Sequence, residues 1–333
     1  MAPKDTDTLS ESTATSGPAP RVNAELLPAA VVLACAVLLV AASTLLNPGS
    51  SFVRQLDAVL VTGIFLVVAS FGQGLTILLG GIDLSIGVVI GLAALMVSTL
   101  TNGHNPAIIW AVPATLGFAA FIGLVNGLGV ALAGMPPFIM TLASSISFFG
   151  VGLAFTSGLA QRPVAPGLVS MMGAHVAGVP IPVLLLLAFA IVATIFQNYT
   201  SDGRKLYAVG SSPGAARVLG LPIAGLNILV YTLSGLCAGV SGILLAGYSS
   251  AATINIGDAL LLPTIAAVVI GGARVVGGRG IYLGTFAGAL FLSALETIIT
   301  VLNLSQGVRD VIEGVIIVGA LLLQSERWRA GRR

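Results

Sequence analysis

Two polar segments stand out in an apolar chain of 333 residues. The first, GQGLTILLGGIDLSIG (Gly72–Gly87), places Asp83 and Ser85 just after the pair Gly80-Gly81. Asp and Ser are good N-caps, and a carboxylate at a helix N-terminus is favoured by the local dipole. One reading is therefore a capped helix at a membrane edge. The other is a broken helix lining a translocation path, because irregular backbone is tolerated at membrane depth only beside protein or water, and ionisable residues there are often functional.

The second segment, Asn198 to Pro222, carries Arg204, Lys205 and Arg217 between two long apolar runs. It also holds a compact helix signal: Ser211-Ser212, then Pro213, Ala215, Ala216, Arg217 and Leu219, closed by Gly220. Ser212 suits a cap, Pro213 suits the first helical position, and Gly220 suits a left-handed stop. A predicted helix of seven residues, 213–219, rises only about 10 Å, enough for a surface knob. The alternatives are a docking surface and an ordinary solvated loop helix.

These segments sit among long apolar stretches that must position them. Apolar residues make up 56% of the chain and charged ones 8%, with a mean hydropathy of +1.06; soluble domains carry about 25% charge. The fold class expected is an all-α polytopic membrane protein. Candidate spans are 27–46, 57–79, 107–134, 138–158, 180–198, 224–248, 281–302 and 308–324, with shorter segments 86–101 and 261–273 bounded by glycine-rich breaks. That makes about ten. Residues 1–24 read as a disordered cytoplasmic tail without the basic start of a secretory signal. Residues 25–325 read as the transmembrane domain, 199–223 as its cytoplasmic loop, and 326–333 as a basic cytoplasmic tail.

Charge sorts with this topology. With the N-terminus inside and ten crossings, eleven of the 14 Lys and Arg residues face the cytoplasm, leaving Arg54, Arg162 and Arg309 outside. The positive-inside rule therefore puts the basic loop and both termini in the cytoplasm. Three glycine series, Gly87/Gly91, Gly235/Gly239 and Gly280/Gly284/Gly288, have the spacing of close helix-packing faces. Met135-Pro136-Pro137 fits a tight break between spans.

Polarity within the other spans is modest. Asn126, Thr141, Ser144 and Ser145 offer weak, neutral contacts for a translocated solute, and Phe138 with Phe148-Phe149 offers apolar constrictions. Each also fits a plain packing or lipid-facing role. Glu313 lies one turn from Arg309 and suits an ion pair with it; Glu296 suits the edge of a polar cavity. Cys35 and Cys237 fall inside apolar runs and read as small buried hydrophobes. His104 and His175 read as solvated loop residues.

Several classes are excluded. The net charge of +2 comes with no basic, aromatic-laced surface, so nucleic-acid binding is unsupported. There is no GxxxxGK[ST] for ATP, no HExxH, no intramembrane Ser–His pair and no metal-ligand spacing. The chain is expected to bind no metal or cofactor and not to be an enzyme by itself.

The segment GGIDLSIG resembles the signature of permease subunits of bacterial ribose-type sugar ABC importers. The resemblance continues through NGLGVALAGMPPFIMTLAS (Asn126–Ser144), GRKLYAVGSSPGAARVLGLP (Gly203–Pro222) and AAVVIGGARVVGGRGIYLGTFAGAL (Ala266–Leu290), in order and spacing, over roughly residues 25 to 325. It implies the vitamin B12-type (type II) importer fold, with about ten helices in each permease. It also implies a homodimer or paired permease in the bacterial inner membrane, a cytoplasmic ATPase that hydrolyses the ATP, and a periplasmic sugar-binding protein. Carried over by residue, the segment around Arg204, Lys205, Ser212, Pro213, Ala215, Ala216, Arg217, Leu219 and Gly220 would couple to the ATPase. Asp83, Ser85, Asn126, Phe138, Thr141 and Ser145 would belong to the pathway. At Ser212-Pro213-Gly214 the chain departs from relatives that commonly carry an Asn followed by an acidic residue, so its docking chemistry is expected to be its own. The function expected is ATP-driven import of a monosaccharide or small polyol. The alternatives are an ion-coupled secondary transporter and an ABC permease for amino acids or nucleosides.

Overall fold

A computed structural model describes residues 22–47, 49–156 and 162–305, with scattered positions from 307 to 319. The remainder of the predicted tails, most of the predicted span 308–324 and the Arg309–Glu313 pairing lie outside the described residues. Within them the chain is mostly helical: α1 Val22–Leu46, α2 Phe52–Leu78, α3 Ile86–Thr101, α4 Ile108–Ala131, α5 Pro137–Thr156 and α6 Pro166–Gly173, then α7 Ile181–Tyr199, α8 Ser201–Ser211, α9 Pro213–Val218, α10 Ile223–Ser249, α11 Asp258–Ile270 and α12 Tyr282–Val301. Seven of these, α1, α2, α4, α5, α7, α10 and α12, are long and apolar enough to cross a membrane. The apolar α3 and α11 are shorter.

The predicted spans match these helices with ends moved by a few residues. The first helix begins at Val22, so the last three residues of the predicted tail are helical; Ala24, Glu25 and Leu26 all favour helix. The description all-α needs one addition. Two short ladders occupy loops, with Arg162–Pro163 (β1) paired antiparallel to Ala251–Ala252 (β4) and His175–Val176 (β2) to Val179–Pro180 (β3).

α2 and α10 form the buried centre. Phe65, Leu66, Val67, Phe71 and Leu75 of α2 pack in one cluster with Val230, Cys237 and Leu244 of α10 and Ala289, Leu290 and Leu292 of α12. Glycine makes the close approaches possible. A Cβ at Gly123 on α4 would strike the Tyr231 carbonyl of α10, and one at Gly235 on α10 would strike the Ala119 carbonyl of α4. Gly91 likewise meets Ile254, Gly284 meets Gly271, and Gly288 meets Ala267. The predicted series holds except at Gly280, which lies in the α11–α12 loop at φ +139°.

The loops gather at two ends of the bundle. At one end lie the α2–α3 break, the start of α5, the α8–α9 pair and the α11–α12 loop: Leu84 N donates to Thr141 Oγ1 at 3.1 Å, and Gly278 N donates to Leu78 O at 2.9 Å. At the other end Gly167 N donates to Asn105 Oδ1 at 2.6 Å and β1 pairs with β4.

Candidate functional site

The α2–α3 break begins with a helix stop. Gly80 takes φ +83°, its N–H donates to Ile77 O at 2.8 Å, and Gly81 N–H donates to Thr76 O at 2.9 Å. This is a Schellman closure, which needs a left-handed residue that glycine supplies without strain. The chain then runs without regular secondary structure through Asp83, and α3 starts at Ile86.

Asp83 is 1% exposed and sits at the centre of a polar knot. Its Oδ1 accepts from Ser85 N (2.9 Å) and Ser85 Oγ (2.6 Å), and its Oδ2 accepts from Ser234 Oγ on α10 (2.7 Å). Ser85 Oγ in turn accepts from Asn126 Nδ2 on α4 at 2.9 Å. The break and part of the cap expected from the sequence are present. Asp83 caps the turn that opens α3, whereas Ser85 makes no capping bond. The knot also ties the broken segment to α4 and α10, and the bond from Leu84 N to Thr141 ties it to α5.

The structure thus brings together four of the six predicted pathway residues: Asp83, Ser85, Asn126 and Thr141, all buried. Ser145 is half-buried one turn further along α5, and Phe138 is exposed at its start. Ser144 is buried and donates to Thr141 O. Phe148 stacks edge-on against Phe118, with ring centroids 6.2 Å apart, and so packs within the bundle. Sequence reasoning missed Ser234 and Tyr231 on α10, whose hydroxyls face the break. They stand one turn apart on a helix that also carries Asn227, Thr232 and Ser241, and nothing local marks them out.

The basic segment is two helices, not one. Thr200 Oγ1 accepts from Gly203 N at 3.0 Å and caps α8, with Asp202 in the first turn. Thr200-Ser201-Asp202 was the available signal for this helix. Ser212 Oγ accepts from Ala215 N at 3.3 Å and caps α9, Pro213 occupies the first turn, and Gly220 closes the helix at φ +70°. Leu219 caps the C-terminus, one residue short of the predicted span.

α9 projects from the bundle. Ala216 is its buried residue, whereas Ser212, Pro213, Ala215, Arg217, Leu219 and Gly220 are exposed. Val218 and Leu219 are 89% and 75% exposed. On α8, Lys205 pairs with Asp202 at 2.8 Å, and Arg204 donates to the Tyr199 carbonyl at 3.1 Å. An apolar tip on a basic base suits contact with another protein better than with water.

Comparison with known proteins finds relatives along most of the chain. A family model described as "Branched-chain amino acid transport system / permease component" matches residues 55–321. Among curated relatives, the ribose import permease protein RbsC of Bacillus subtilis is 31% identical over 303 residues, covering 87% of this chain and 90% of its own. RbsC of Escherichia coli K12 is 32% identical over 303 residues, covering 89% and 93%. The autoinducer 2 import system permease protein LsrD of Photorhabdus luminescens is 29% identical over 304 residues, covering 84% and 90%. The chain belongs to this family of multi-pass importer permeases, and its likeness to the ribose-type members holds along nearly its whole length.

Proposed function

We propose that the chain is the permease subunit of an ATP-driven importer that carries a monosaccharide or small polyol across the bacterial inner membrane. The observation that carries the coupling part of this reading is the capped α9 knob, with Val218 and Leu219 bare at the basic end of the bundle. A separate cytoplasmic ATPase hydrolyses ATP and binds this knob. Arg217 meets acidic groups on the ATPase, and Leu219 enters an apolar pocket. Two copies of the chain, or a paired permease, enclose the pathway in a type II arrangement, and a periplasmic binding protein delivers the substrate.

The finer topology belongs to the same reading. Ten crossings, the last formed by residues 308–324, put both termini in the cytoplasm. Among the described residues, Arg204, Lys205, Arg217, Arg274 and Arg279 gather at the α8–α9 end, while Arg54 and Arg162 lie at the other, the asymmetry that the positive-inside rule expects. The sugar class rests on relatives named for ribose and autoinducer 2; the family description, by contrast, names branched-chain amino acids.

Motion of α8–α9 would reach the membrane through the α2–α3 break, because α8 packs on the end of α2. A Cβ at Gly210 would strike the Leu78 carbonyl, three residues before Gly81. The knot of Asp83, Ser85, Asn126 and Ser234 then holds α2–α3, α4 and α10 together, and Thr141 brings in α5. The side of α5 that bears Phe138 and Ser145 lines the path. Its polarity is weak, which suits a neutral solute that must not be trapped.

Arg217→Glu and Leu219→Asp test the coupling role. Both change exposed side chains, so the permease should insert and purify normally while ATPase co-purification and ATP-driven uptake are lost. Unchanged ATPase association in both variants would overturn the docking role. Uptake sustained by an ion gradient in proteoliposomes without ATPase would overturn the ATP-driven reading.

A further inference from the structure

The loop between α11 and α12, GGARVVGGRG (Gly271–Gly280), has no part in the coupling reading above. It opens with the same stop as α2: Gly272 takes φ +93°, with Gly272 N donating to Val269 O at 3.0 Å and Ala273 N to Val268 O at 3.1 Å. Beyond it, Val276 is 89% exposed, as bare as Val218 at the tip of α9. Arg274 and the exposed Arg279 flank it.

The loop is fastened to the coupling segment. Tyr207 Oη on α8 donates to Gly280 O at 2.8 Å, and Gln197 Nε2 on α7 donates to the same oxygen at 3.0 Å and to Tyr207 Oη at 2.7 Å. Ser211 Oγ at the end of α8 donates to Gly278 O at 3.3 Å. Ser211 immediately precedes Ser212, the cap of α9. The tip of the loop therefore stands beside the root of the knob. Its other flank touches the break: a Cβ at Gly277 would press on Gly80 N, and one at Gly80 on the Val276 carbonyl.

We propose that residues 274–279 form a second contact for the ATPase that binds α9. This rests on the α9 docking role and extends it. Two observations select this occupant. The loop continues the α8–α9 surface through two side-chain hydrogen bonds from α8, so a protein seated on α9 lies next to Val276. Its charge is also of the same kind: Arg274 and Arg279 add to Arg217 and Arg204, while Asp202 is engaged by Lys205. The partner surface is an apolar groove rimmed with carboxylates. An apolar side chain between two cations fits its centre, where contact residues are desolvated, and the arginines fit its rim. The consequence is mechanical. A push on Val276 reaches Gly80, three residues before Asp83, through close backbone contacts, a route separate from those that lead from α9 into α8 and α10.

The test places a photo-crosslinking amino acid singly at positions 276, 219 and 176 in the full permease, purified with its ATPase. Val176 lies at the opposite end of the bundle and serves as the negative position. Crosslinks to the ATPase from 219 and 276, and none from 176, are expected. A crosslink from 219 but not 276 overturns the second contact and leaves the α9 role standing. Failure at both overturns the docking reading itself, and a crosslink from 276 to a second copy of the permease overturns the choice of occupant. In parallel, Val276→Asp should weaken ATPase association about tenfold, the scale of one lost interface anchor, while the permease remains monodisperse. Association and uptake equal to those of the unsubstituted chain would refute the proposal.

Discussion

Asp83 illustrates how one buried residue organises several helices. It accepts three hydrogen bonds from two residues 149 positions apart, Ser85 and Ser234, with no basic partner within ion-pair distance among the described residues. Removing an acceptor shared by several donors is worse than removing one donor, because each orphaned buried donor costs about 1–3 kcal/mol. Asp83→Ala should therefore lower the thermal midpoint of the purified permease more than Ser234→Ala, which sacrifices a single bond. Equal midpoints for the two variants would mean that the knot is not a stabilising unit.

Among elements, α4 and α10 make their closest contacts at glycine. Gly123 and Gly235 face each other's helices so closely that a methyl group has no room at either position. Helix association in a membrane relies on such close packing, since lipid is as apolar as the helices themselves. Gly123→Ala and Gly235→Ala should each destabilise by about 1–3 kcal/mol, the range for overpacking a tight contact. Gly117 lies on the same α4 with nothing near its missing side chain. Gly117→Ala should be neutral or slightly stabilising, because alanine favours helix by about 1 kcal/mol. Thermal unfolding in detergent separates these outcomes; a loss at Gly117 as large as at Gly123 would point to helix propensity in place of packing.

For the whole molecule, the question is which end faces which compartment. Single cysteines at Leu219 and Val176 occupy opposite ends and are exposed. An impermeant maleimide added to spheroplasts should label Val176→Cys, and the same reagent on inside-out vesicles should label Leu219→Cys, above the background from Cys35 and Cys237. The reverse pattern would invert the topology and remove α9 from reach of any cytoplasmic ATPase.

Much of this was written locally in the chain. Runs of apolar residues gave the long helices, because a membrane span needs only length and hydropathy. Ser212-Pro213 and Gly220 gave α9, because caps and stops act within one turn. The paired glycines marked both interruptions, at 80–81 and 271–272, for the same reason. The sequence alone also supplied the charge asymmetry, which depends on counting and not on shape. Tertiary structure decided the rest. That Asp83 meets Ser234, 151 residues away, that Gly123 faces Tyr231, and that the Gly271–Gly280 loop lies between α8 and the break are consequences of how helices cross. Hydrogen bonds and close packing between distant segments leave no periodicity or composition behind them. The chain therefore announced that the Gly80-Gly81 segment breaks a helix, while only the fold joined that break to α4, α5, α10 and the α8–α9 surface.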